Sequence, residues 1–137
     1  MIANLDHSAG PGRPKIRVLL VDDHRIMREQ LRRIIEEQAD MIVVAEASDG
    51  YMAVSTVREI GPDVVIMDVH MPKMNGVEAT RRIKAELPQI MVIGLSLRAD
   101  EQTAVAMRKA GATAYFSKNV SLENLCAAIR SVKAKTF

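Results

Sequence analysis

Val64-Val65-Ile66-Met67-Asp68 is the stretch on which the fold turns. Four apolar residues run without interruption, the first three β-branched, and stop on a carboxylate. Such a run predicts a strand. With no polar residue alternating through it, the strand is buried on both faces, as in the centre of a parallel sheet covered by helices. Ending it on a bare carboxylate is unfavourable unless something uses that group. Asp68 is therefore the first candidate functional residue.

Working outward, apolar runs alternate with amphipathic segments five times. Strands are predicted at Ile16–Val21, Ile42–Ala45, Val64–Met67, Ile90–Leu95 and Thr113–Phe116. Between and after them lie helical periods. The first runs near His24–Gln38, with Met27, Leu31, Ile34 and Ile35 on one face. The second follows the cap candidates Ser48-Asp49-Gly50 and ends at Gly61-Pro62. The third carries Val77, Thr80, Ile83 and Leu87, the fourth covers about 100–110 before Gly111, and the last starts at Ser121 and buries Leu122, Leu125, Ile129 and Val132. Strand–helix alternation of this kind predicts an α/β doubly wound parallel sheet. Residues 1–14 read as a tail without regular structure, because Gly10-Pro11-Gly12-Arg13-Pro14 breaks any period. One domain is expected over 15–133, with 134–137 a frayed end or the start of a linker.

Composition narrows the function classes. The 137 residues are 48% hydrophobic and 26% charged, enough for one domain with a true core. A formal net charge of +2 does not argue for a nucleic-acid surface, and no basic stripe interleaves with aromatics. No apolar run approaches the ~20 residues of a membrane span, and no secretory leader is evident. The single cysteine, Cys126, excludes an internal disulfide and reads as a small buried hydrophobe. A cytoplasmic location is expected, with no membrane partner.

Four strand ends carry complementary chemistry: Asp22-Asp23, Asp68, Ser96 and Lys118. In an open parallel sheet those ends converge on one edge, where α/β proteins bind ligands. Each has an ordinary structural explanation, a helix cap for the acidic pair, a turn hydroxyl for Ser96 and a solvated surface cation for Lys118. Together they fit one small cleft. Clustered carboxylates repel one another and raise each other's pKa values unless a counter-charge is present. Mg²⁺, with its preference for oxygen ligands, resolves that conflict, Mn²⁺ being the alternative ion. Asp22, Asp23 and Asp68 would supply carboxylates and His70 its backbone carbonyl. A hydroxyl at Ser96 and an ammonium at Lys118 suit phosphoryl oxygens, with Asp68 as the acceptor.

With those residues placed, the chain resembles the receiver domains of bacterial two-component response regulators. The resemblance rests on Val18-Leu19-Leu20-Val21-Asp22-Asp23-His24, Pro62-Asp63-Val64-Val65-Ile66-Met67-Asp68, Met71-Pro72-Lys73-Met74-Asn75-Gly76, Gly94-Leu95-Ser96 and Gly111-Ala112-Thr113-Ala114-Tyr115-Phe116-Ser117-Lys118. It spans residues 16 to about 133. Lys118-Asn119 and Leu122–Ile129 are similar in style to the LuxR/NarL-type subgroup. The resemblance implies a flavodoxin-like (βα)5 fold with strand order 2-1-3-4-5. It implies Asp68 as the site of phosphorylation, Asp22 and Asp23 as holders of Mg²⁺, and Ser96 and Lys118 as ligands of the phosphoryl group. Ser96 and Tyr115 would form the switch. The implied partner is a histidine kinase, and the implied output face is the fourth helix, fifth strand and fifth helix, which would contact a second copy or a C-terminal output domain. DNA would be reached only through a domain beyond this chain.

Two features depart from that pattern. Asn119 stands where many receivers have proline in a cis peptide, a form costing ~2.5–4 kcal/mol for other residues. No helix-turn-helix follows Phe137, so the domain is expected either to be part of a longer transcription regulator or to act as a stand-alone receiver or phosphorelay intermediate. A phosphatase with an aspartate nucleophile is the enzyme alternative, but His70 replaces the acid that such enzymes carry two residues after the nucleophile. The domain is therefore read as a phosphoacceptor that assists its own modification, not as a turnover enzyme. Elsewhere, His24 reads as a partly exposed helix-start residue, with a metal ligand or a proton shuttle as the alternatives. The His70 side chain is expected at the mouth of the cleft. Met67 reads as core, whereas Met71 and Met74 are expected to be partly exposed and open to a partner.

Overall fold

The structure is a computed structural model that describes residues 14–98 and 100–134, with side chains through 131. Residues 1–13 of the proposed tail, residues 135–137 of the proposed frayed end and the Val132 side chain lie outside the described residues. The strands are β1 (Ile16–Val21), β2 (Met41–Ala47), β3 (Val64–Asp68), β4 (Met91–Ser96) and β5 (Ala114–Ser117). The helices are α1 (Arg25–Glu36), α2 (Gly50–Ile60), α3 (Gly76–Glu86), α4 (Glu101–Ala110) and α5 (Leu122–Ala134). All strand pairs are parallel and their order is β2-β1-β3-β4-β5, the flavodoxin-like arrangement expected from the sequence.

The uninterrupted run of β3 serves two cores at once. Successive side chains of a strand point to opposite faces. Val64 and Ile66 therefore join Val18, Leu20, Ile93 and Leu95 beneath Ile35 of α1 and Leu125 and Ile129 of α5. Val65 and Met67 turn the other way, joining Leu19, Val21 and Val92 beneath Val57 of α2, Ile83 of α3 and Met107 of α4. Each such side chain contributes about 1.5–3 kcal/mol by leaving water. Cys126 is buried in the first of these cores, as expected. Leu122 is only half-buried, at the margin of that core.

The helices begin where their caps dictate. Asp49 Oδ1 accepts the Met52 N–H at 2.9 Å, Asn75 Oδ1 the Glu78 N–H at 3.0 Å, and Asp100 Oδ1 the Thr103 N–H at 2.8 Å. α1 differs, since its N-cap, His24, makes no side-chain cap bond. The acidic pair before it does not cap the helix either. Gly61 and Gly111 end α2 and α4 with φ of 61° and 113°, a region open to glycine at no steric cost.

Element edges move by a few residues. β2 extends to Met41–Ala47, and β5 is Ala114–Ser117 in place of Thr113–Phe116. The larger correction is at Met71 and Met74, which are buried, not partly exposed. The Gly76 N–H donates to the Val69 carbonyl at 2.9 Å and the Gly50 N–H donates to the Met74 carbonyl at 3.1 Å. These bonds fold the loop after β3 back onto the start of α2 and turn both methionines into the core. A Cβ on Gly50 would lie 2.4 Å from the Met74 oxygen, so the close approach requires glycine.

Candidate functional site: an acidic pocket at the strand ends

Because all five strands run the same way, their C-terminal ends share one edge. Asp22 follows β1, Asp68 closes β3, Ser96 closes β4 and Lys118 follows β5. Asp22, Asp68 and Lys118 are almost wholly buried, their side chains 2–4% exposed. The Lys118 ammonium lies 2.9 Å from Asp22 Oδ2 and 3.3 Å from Asp68 Oδ1. It is a buried counter-charge bridging two strand ends, not a solvated surface cation.

The remaining contacts define what the carboxylates lack. Asp22 Oδ1 accepts the His24 N–H at 2.8 Å, and Asp68 Oδ1 accepts the His70 N–H at 3.3 Å. Asp68 Oδ2 and Asp23 Oδ1 are buried without a hydrogen-bond partner. An ionised oxygen in that position bears a desolvation cost unless a cation approaches. Burial, followed by the charge of Asp22, pushes the Asp68 carboxyl up to about 6, because Lys118 offsets only part of that cost. Burial works against the Lys118 cation, yet its bond to Asp22 and the charge of Asp68 outweigh that and raise its pKa.

Ligand atoms of Asp22, Asp23, His24 and Asp68 lie within 4.8 Å of one another. Two unpartnered buried oxygens and an excess of carboxylates over ammonium fit a small divalent cation. The structure places Asp22, Asp23, Asp68 and Lys118, all candidates in the sequence, at one edge of the sheet.

Ser96 is fully buried at the adjacent strand end, where its Oγ accepts the Arg98 N–H at 3.2 Å. Tyr115 Oη donates to the Arg98 carbonyl at 2.9 Å. Both faces of one residue's backbone are thus held by Ser96 and Tyr115. The Tyr115 ring packs beside Gly94, where an added Cβ would sit 3.0 Å from Tyr115 Cδ1 and 2.8 Å from Met107 Cε. The exposed His70 side chain, with Leu97 and Arg98, lines a surface cavity of about 330 Å³ beyond the ends of β3 and β4.

Some supporting residues have no clear signature in the sequence. Arg28 of α1 donates through Nη1 to the Asp22 carbonyl at 2.6 Å and pairs through Nε with Glu46 Oε1 at 3.0 Å. Arg32 Nη1 reaches Glu46 Oε2 at 2.7 Å. Among many arginines on amphipathic helices, nothing in the spacing singles out Arg28. Gly76 is the other. A Cβ there would lie 2.2 Å from the Asp68 carbonyl, so the start of α3 presses directly on the residue at the centre of the pocket.

Comparison with known proteins agrees with this arrangement. The response regulator receiver domain family matches residues 18–130. The transcriptional regulatory protein DegU of Brevibacillus brevis is 39% identical over 118 residues, covering 86% of this chain and 50% of DegU. The response regulator UvrY of Escherichia coli K12 is 41% identical over 117 residues, covering 85% of this chain and 54% of UvrY. The chain thus spans about half the length of these curated relatives. Among solved structures, a LuxR-family two-component response regulator from Aurantimonas sp. SI85-9A1 superposes with a TM-score of 0.84 at 36% identity, covering 88% of this chain and 86% of that one. No helix among the described residues is long and apolar enough to cross a membrane. From the match over residues 18–130, and from the acidic pocket that the same strands build, this chain belongs to the response regulator receiver domain family.

Proposed function

We propose that the domain is a phosphorylation-controlled switch that accepts a phosphoryl group from a histidine kinase on Asp68. The observation that carries this reading is the state of the Asp68 carboxylate. It is buried, lifted to about 6, ionised at neutral pH, and has one oxygen without a hydrogen-bond partner. A carboxylate with few competing hydrogen bonds is a ready nucleophile.

A carboxylate oxygen of Asp68 attacks the phosphorus of a phosphohistidine. The P–O bond forms, the P–N bond breaks, and the departing imidazole keeps the electron pair and takes a proton. Lys118, already 3.3 Å from Asp68, neutralises charge on the transferring group. Asp22, Asp23, Asp68 and the His70 carbonyl would hold Mg²⁺, which would supply electrostatic stabilisation of the phosphoryl oxygens. The product is an acyl phosphate that water removes.

The output follows from Ser96 and Tyr115. If Ser96 turns its hydroxyl to a phosphoryl oxygen, it gives up the Arg98 N–H, and the segment that Tyr115 holds through the Arg98 carbonyl is free to shift. The face formed by α4, β5 and α5 then changes population between two forms. That face would serve a second copy or an output domain. Given regulator relatives of which the matched region covers about half, transcription control is the natural context, with DNA contacted by another domain and the protein working in the cytoplasm.

The test is incubation with acetyl phosphate and Mg²⁺ followed by intact-mass measurement. One phosphoryl group is expected on the wild type and none on Asp68→Asn or after chelation. Equal labelling of Asp68→Asn would overturn the proposal.

A further inference from the structure

The His24 imidazole stands at the pocket without a task in the reading above. Its Nδ1 lies 3.2 Å from Asp22 Oδ1 and 3.2 Å from Asp23 Oδ1. Only the first approach has the direction of a hydrogen bond, and Asp23 Oδ1 remains without a hydrogen-bond partner. Adjacent donors around an octahedral ion with bonds of ~2.1 Å are separated by about 3 Å. The two distances from Nδ1 match that edge. Asp68 Oδ2, in a residue 2% exposed, supplies an unpartnered oxygen in the same cluster.

Ligand chemistry then separates metals. Mg²⁺ takes oxygen ligands and keeps its waters, so it has no use for the imidazole. Borderline ions such as Co²⁺ and Zn²⁺ bind imidazole well and rise in affinity along the divalent series. His24 can serve them by exchanging its hydrogen bond to Asp22 Oδ1 for the metal. It makes no cap bond to α1, its side chain is 60% exposed, and rotation of the ring needs no core rearrangement.

We infer that His24 Nδ1 is an additional protein ligand that this pocket offers to borderline transition-metal ions and withholds from Mg²⁺. The inference rests on the carboxylate cluster being a divalent-cation site. It makes the pocket selective by ligand type: an all-oxygen set for Mg²⁺, and a carboxylate–imidazole set for Zn²⁺ or Co²⁺. On binding, the Nδ1 lone pair goes to the metal, and the ring takes the tautomer protonated at Nε2.

Calorimetric titration of the folded wild type and His24→Ala with Mg²⁺ and with Zn²⁺ tests this, together with NMR of ¹⁵N-histidine-labelled protein. The expected result is Zn²⁺ affinity at least about tenfold weaker in His24→Ala, with Mg²⁺ affinity changed less than about twofold, a ratio worth ~0.4 kcal/mol. Zn²⁺ should shift the His24 Nδ1 resonance of the wild type and Mg²⁺ should leave it in place. The chain has three histidines, and the resonance missing from His24→Ala identifies the right one. Zn²⁺ affinity unchanged in His24→Ala, or an Nδ1 resonance unmoved by Zn²⁺, overturns the inference while leaving the Mg²⁺ site intact. Failure of the wild type to bind either ion overturns both.

Discussion

Asp68→Asn should make the domain more stable in the absence of divalent metal at neutral pH. The folded-state pKa of Asp68 is about 6, above the value of about 3.9 for an unperturbed aspartate. The folded state therefore holds this proton more tightly than the unfolded state. Below about pH 4 both states are protonated at Asp68 and the group costs nothing. Between about pH 4 and 6 the unfolded chain ionises freely and stability falls. Above about pH 6 the full cost stands, roughly two units at ~1.4 kcal/mol each, or about 3 kcal/mol. Asparagine removes that cost but also gives up the contact with Lys118, which keeps Asp22 at 2.9 Å. The net gain should be on the order of 1–3 kcal/mol. With a urea slope of ~1–3 kcal/mol/M, the unfolding midpoint rises by about 1 M. Urea titrations followed by circular dichroism, in chelator at pH 7.5 and pH 4.5, measure it. The gain should be full at pH 7.5 and cut to about a third at pH 4.5. A variant no more stable than wild type at pH 7.5, or a gain unchanged by pH, would refute the reasoning.

The initial rate of labelling by acetyl phosphate at limiting Mg²⁺ should fall as pH drops through about 6, because the protonated Asp68 carboxyl is not a nucleophile; saturating Mg²⁺ should move that fall to lower pH, and a flat profile between pH 5 and 8 counts against the assignment. Gly76→Ala should lose about 1–3 kcal/mol in urea titration, and calorimetry should find weaker Mg²⁺ binding, since its Cβ would meet the Asp68 carbonyl at 2.2 Å. Arg28→Ala should weaken Mg²⁺ binding about tenfold by the same measurement, because the bond that holds the Asp22 carbonyl is lost; unchanged affinity would mean that the acidic pair is positioned without it.

Legibility tracked the physics of each signal. The β-branched run at Val64–Met67 and the alternation of strands with helices fixed the sheet, because burial on two faces needs uninterrupted apolar residues. The pocket was legible for the same reason: a parallel sheet sends every strand end to one edge, so Asp22, Asp68 and Lys118 meet whatever the details of the loops. Contacts made by tertiary packing were not legible. Met71 and Met74 looked available in a loop of Pro, Asn and Gly, but backbone bonds from Gly50 and Gly76 turn them inward. The depth of Lys118 was not legible either, because nothing in its local sequence reports how far β5 delivers it into the pocket. Arg28 was invisible for a similar reason, since only the placement of α1 against Asp22 and Glu46 separates it from its neighbours.

The most direct test of the central claim is chemical trapping of the phosphorylated residue. Borohydride reduces an aspartyl phosphate to homoserine, and peptide mass spectrometry then locates the change. After phosphorylation in Mg²⁺, homoserine is predicted at position 68 and should disappear in chelator. Homoserine at another aspartate, or phosphoryl label that survives at a serine or histidine while Asp68 stays unmodified, would contradict the account.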